Sequence, residues 1–166
     1  MPLPPAPALN LLLASLNAAA RTRLFPHLVL VELAAGEIVF ASGTQQVQVY
    51  FPVTATILLS YQPGNGTATE ISLVGNEGVI GIPLFLQEKV SPCSAVVCDA
   101  GFAYQISAAV LTGELNRPGP ALRLILAYAR GLSAQMAQTA HCDMHSIAVD
   151  RSCATCSHAA RCPKTD

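Results

Sequence analysis

Charge is scarce in this chain. Only 11% of its 166 residues are Asp, Glu, Lys or Arg, whereas 52% are hydrophobic. A surface this poor in charge must be largely uncharged or covered by another molecule, which favours an oligomer. Lys and Arg number nine against ten acidic residues, and no basic run is longer than the pair Arg21 and Arg23. Binding dominated by nucleic-acid phosphates needs clustered cations, so no direct DNA binding is expected of this chain. Long apolar runs are also missing, and with them a bilayer-spanning segment or a membrane partner. The stretch 9–20 imitates an export signal by ending in Ala18, Ala19 and Ala20. It lacks a positive leading region, however, and Asn10 and Asn17 interrupt it. A cytoplasmic protein with reduced thiols is therefore expected. There is no Ser/His/Asp set, carboxylate pair or nucleophile elbow, so the chain does not read as an enzyme.

What the chain does contain is a regular succession of short elements. Residues 1–8 are Pro-rich and read as a flexible arm. Two short helices follow, over about 10–16 and 17–25, with Asn17 as N-cap and Pro26 as a stop. Strands are then predicted over 28–33, 37–40 and 47–51, the last with Val47, Val49 and Phe51 on one buried face. A hairpin spans 55–74, turning at Pro63, Gly64, Asn65 and Gly66. Residues 75–86 are punctuated by Gly75, Gly78, Gly81 and Pro83, with one helical turn over 83–86. Two more strands, 95–98 and 102–106, lead to a helix that Ser107 caps. Seven or eight short strands separated by turns point to a closed or sandwich-like β unit over 9–118.

A long helix occupies 119–146. Pro120 suits its first turn, where a missing N–H costs nothing. Leu122, Ile125, Ala129, Leu132, Met136 and Thr139 recur at spacings of 3, 4, 3, 4 and 3, which keeps one narrow seam on one side of the helix. A second stripe, Leu124, Ala127, Tyr128, Gly131 and Ala134, lies beside it. Two apolar faces need two partners: the chain's own β unit and the same helix of a second copy. The seam is assigned to the homodimer.

The order of these parts, together with Leu33 to Ile38, Gln48 to Pro52, Leu73 to Pro83 and Leu132 to Ala137, resembles the sensory half of the Crp/Fnr transcription regulators. The resemblance covers roughly 9–146. It implies a mainly β fold with α: a jelly-roll-like, double-stranded β-helix of the cyclic nucleotide-binding type, with short flanking helices and a long C-terminal dimerisation helix. The expected role is effector sensing, without catalysis. It also implies an effector pocket at Gly81, Ile82, Pro83, Leu84, Cys93, Ser94 and Ala95, with Asp143 and Met144 where relatives read the base. Relatives that bind cyclic nucleotide place Glu at the position of Ile82 and Arg at that of Cys93. An aliphatic chain cannot accept from a ribose hydroxyl, and a neutral thiol cannot offset a buried phosphate, whose unpaired desolvation costs several kcal/mol. Tight binding of cyclic AMP is therefore not expected. The effector is a small molecule of unknown identity, or Pro83, Leu84 and Phe85 fill the site themselves.

Relatives continue into a winged helix-turn-helix of some 60 residues or more. Residues 147–166 show no apolar period and read as a disordered, Cys/His-rich tail, so the chain is expected to lack that unit. Heterodimers with full-length relatives, which would make the chain a dimerising decoy, are the rival reading. No cofactor is favoured. Cys153, Cys156, His158 and Cys162 have ligand types suited to zinc, or to a metal or redox sensor, but their spacing is tight for a tetrahedral site. His27 as a haem ligand is a minor reading beside an ordinary surface histidine.

Overall fold

The computed structural model describes residues 5–61, 68–81, 90, 91 and 93–145. Part of the stretch expected as an arm is tied down. Pro7–Leu9 form a turn of 3-10 helix, and the Tyr104 hydroxyl donates to the Pro5 carbonyl at 2.7 Å. Asn10 then starts α1 (Leu11–Ser15), its side-chain oxygen accepting from the Leu12 and Leu13 amides at 3.1 Å. Asn17 starts α2 (Ala18–Leu24) the same way, accepting from Ala20 N–H at 3.0 Å. A 3-10 turn at Phe25–His27 follows, and the proline ring stops further helix. His27 is exposed there.

Seven strands follow: β1 (Val29–Leu33), β2 (Ile38–Phe40), β3 (Gln48–Pro52), β4 (Thr56–Tyr61), β5 (Thr69–Val74), β6 (Cys93–Asp99) and β7 (Gly101–Ser107). They form two antiparallel sheets, ordered β1-β7-β3 and β2-β6-β4-β5. The expected hairpin is present as β4 and β5, paired from Ile57 opposite Val74 to Tyr61 opposite Thr69 with a register shift between Leu59 and Ser60. Its turn lies outside the described residues, as does the helical turn expected at 83–86. Two helices close the fold, α3 (Ala108–Leu115) and α4 (Pro120–His145). None of the described helices is long and apolar enough to cross a membrane.

Alternation along the strands feeds two separate cores. Val49, Phe51, Tyr104 and Ile106 face the helices and pack with Leu12, Leu13, Leu24, Leu111 and Leu115. Between the sheets lie Leu33 and Ala103 from one, and Ile57, Leu59, Val74, Ala95 and Val97 from the other. Tyr50, on the face of β3 expected to be polar, packs against this second core, so β3 uses both faces. Helix α4 crosses both: Ala121 and Ile125 join the first core and Leu132 the second.

That crossing corrects the expected dimer seam. Ile125 and Leu132 are 4% and 7% exposed against the chain's own core and cannot also face a second copy. Leu122, Ala129 and Met136 are half-buried at the margin, while Leu126 is 51% exposed and Ser133 is exposed. The spacing could not distinguish these faces, because Leu122, Leu126, Ala129, Ser133 and Met136 also make a heptad seam, rotated toward solvent. Of the second stripe, Leu124 and Tyr128 pack inward and Ala127, Gly131 and Ala134 are exposed. Thr139 is in α4, with its side chain outside the described set.

Candidate functional site

The site starts where β5 turns back toward the other sheet. After Gly75–Gly78 the chain extends beside β3, with Ile80 N–H donating to Tyr50 O at 2.8 Å and Tyr50 N–H to Ile80 O at 3.0 Å. Gly81 ends this segment at φ +114°, and a Cβ there would lie 3.2 Å from Val49 Cγ2. The backbone angle is what calls for glycine, and a side chain would in addition press on Val49. Ile82, Pro83 and Leu84 lie outside the described residues, so their expected roles stay with the sequence.

Cys93 opens β6 opposite Tyr61, and two residues on Ala95 sits opposite Leu59 and Phe40 in the inter-sheet core. Period-two alternation puts Cys93 on the same side as Ala95, at the end of that core. Half burial raises the thiol's pKa, so it carries no charge at neutral pH. Its N–H donates to the Ser91 hydroxyl at 3.1 Å. Ser94 belongs to the opposite face of β6, where its hydroxyl lies 2.8 Å from that of Ser60. The strand therefore separates Ser94 from Cys93 and Ala95. Asp143 lies on the last turn of α4, with its side chain outside the described set.

Two polar residues escaped the sequence reading. Ser72 on β5 lies opposite Leu59, is 3% exposed, and its hydroxyl finds no partner among the described residues. Gln46, just before β3, is 5% exposed, with neither amide atom partnered among the described residues. Buried polar atoms normally find partners, so both stand out. Only their alternation with apolar neighbours was visible in the sequence. The buried polar side chains among the described residues are Asn10, Gln46, Ser72, Ser91 and Glu114, and none is a cation. Among the described residues no cluster of His, Cys, Asp or Glu could hold a metal, and the tail cysteines lie outside that set.

An open groove of about 310 Å³ runs along the outer wall between Val53–Thr56 and the Gly75–Glu77 turn. Two of its polar side chains are engaged within the fold: Thr54 Oγ1 accepts from Phe102 N–H at 2.8 Å, and Glu77 Oε1 from Gly75 N–H at 3.0 Å.

Solved structures share this arrangement of sheets and closing helices. The c-di-GMP-responsive global regulator CLP from Xanthomonas campestris aligns with a TM-score of 0.64 at 15% identity, over 81% of this chain and 66% of that one. The catabolite activator protein of Thermus thermophilus aligns at 0.58 and 16%, over 86% and 63% respectively. The fold is the cyclic nucleotide-binding β-roll. A cAMP-independent protein kinase A regulatory subunit from Trypanosoma cruzi, bound to guanosine, also aligns, at 0.55 and 18%, over 61% of this chain and 36% of that chain. This chain spans no more than two thirds of the length of any of these three. No family model and no curated protein matches the sequence, so the likeness is one of fold.

Proposed function

We propose that this chain is the effector-sensing, homodimerising part of a Crp/Fnr-like transcription regulator, and that its effector carries no buried phosphate. The observation behind the ligand class is the end of the inter-sheet core: an uncharged thiol at Cys93, an unpartnered Ser72 hydroxyl, and no buried cation among the described residues. A phosphate taken out of water without a cation or several N–H donors is strongly disfavoured, whereas a neutral hydrogen-bonding ligand can use a lone hydroxyl. The guanosine held by the Trypanosoma cruzi protein is a phosphate-free ligand of this kind in the same fold. Dimerisation uses the outward seam Leu122, Leu126, Ala129, Ser133 and Met136. Effector binding shifts the roll against α4 and so alters helix pairing.

Calorimetry with guanosine, adenosine, cyclic AMP and cyclic GMP tests the ligand class. The expected order places the nucleosides at least level with the cyclic nucleotides. Micromolar affinity for cyclic AMP overturns it. Sedimentation equilibrium tests the pairing separately, and a monomer at all accessible concentrations removes it.

A further inference from the structure

Tyr128 sits where the two cores meet and packs against both. Its neighbours on α4, Ala121, Ile125 and Leu132, hold the helix through apolar contacts alone. Such contacts resist separation but carry no direction, so they leave the helix free to creep along its axis. Tyr128 adds direction. Its hydroxyl lies against Gly78, next to the Val79 amide, and burial, with a smaller push from the Glu77 carboxylate, moves the phenol's pKa up to about 12, keeping it neutral. Beneath the ring is Gly78. A Cβ there would overlap the Tyr128 hydroxyl and come within 2.5 Å of Val74 Cγ1 and 3.1 Å of Tyr128 Cζ, so only glycine lets the ring settle.

The other side of the same turn is equally fixed. The buried Asn10 amide donates to Gly78 O at 2.9 Å and to Pro52 O at 2.8 Å, and Leu11 N–H donates to Asn76 O at 2.8 Å. The turn is thus anchored to α1 and β3 and presents one amide, Val79, to the helix. The next two residues are Ile80 and Gly81, and Gly81 is the first residue of the expected effector site.

We propose that Tyr128 is a latch: its hydroxyl, seated on Gly78, sets the register of α4 on the roll and couples that register to the strand 79–81. The consequence for signalling rests on the sensing reading above, since a ligand that displaces 79–81 would release Tyr128 and with it the helix. The latch itself needs neither effector nor partner, so its failure and the failure of that reading are distinguishable.

Amide hydrogen exchange on the ligand-free full chain supplies the test. Tyr128→Phe keeps the ring and removes only the hydroxyl. The expected result is exchange about tenfold faster at Val79, spreading to 125–132 of α4, with β4 and β6 unchanged. Ile125→Val, which trims the same helix without touching the latch, is expected to leave the Val79 rate as in the parent. Unchanged exchange at Val79 in Tyr128→Phe, or the same pattern in both variants, overturns the proposal. If Tyr128→Phe fails to fold, the unmodified protein still decides through the Val79 amide itself. Protection of Val79 comparable with that of Ile80 supports the latch, and exchange as fast as that of an open turn amide overturns it.

Discussion

Asn10 and Gly78, separated by 68 positions, are joined by a hydrogen bond of 2.9 Å from the side-chain amide of one to the carbonyl of the other. The same asparagine caps α1 and donates to Pro52 O, so one fully buried side chain satisfies four backbone groups. Replacing it removes a helix cap and leaves two carbonyls without a donor. Asn10→Ala is expected to cost about 2–4 kcal/mol, measured by urea denaturation. Asn10→Asp, which keeps the cap and loses both donors, should recover only part of that.

The two faces of α4 predict opposite outcomes for two leucines. Leu132→Ala opens a cavity in the inter-sheet core and should lower stability by about 2–5 kcal/mol. Leu126→Ala, at a half-exposed position, should change monomer stability by less than about 1 kcal/mol yet weaken self-association in sedimentation equilibrium. Equal effects on both measurements would discard the outward seam.

Acid should loosen the contact between α2 and α3. Arg23 Nε and Nη2 each donate to the buried Glu114 carboxylate at 2.6 Å, and this hydrogen bonding holds its pKa below the ordinary 4.5 against the opposing effect of burial. The unfolded chain therefore takes up the proton first as pH falls. The pair's contribution is present above about 4.5 and disappears as pH drops through the lowered value. Thermal melts from pH 7 to 3 should show a flatter acid limb for Glu114→Gln than for the parent.

Cys93 should be a slow thiol. Burial raises its pKa and leaves little thiolate at neutral pH, so alkylation should lag behind that of a small free thiol and accelerate with rising pH. Mass-spectrometric mapping checks it, with Cys93→Ser as control. Alkylation as fast as the free thiol would contradict a neutral site end.

Much of the fold was legible because local chemistry and period agree. Asn10, Asn17 and Pro26 bound the first helices, alternation and turn-bounded apolar runs located the strands to within about two residues, and the unbroken apolar pattern after Pro120 gave the last helix. A residue's spacing, however, says which neighbours share its face and not what that face meets. Ile125 and Leu126 sit one step apart on α4, in two interlocking heptad patterns, and only the position of the roll buried the first and exposed the second. Ser72 and Gln46 looked like ordinary polar alternation, and only the packed fold buried them. Tyr128 meets Gly78 from 50 positions away because α4 folds back over the turn after β5, and no periodicity encodes a meeting that distant. Sequence therefore determined which segments form and which side of each is apolar. Which apolar side faces which core was decided when the sheets and α4 packed together, because burial is a property of the assembled neighbours and not of any one element.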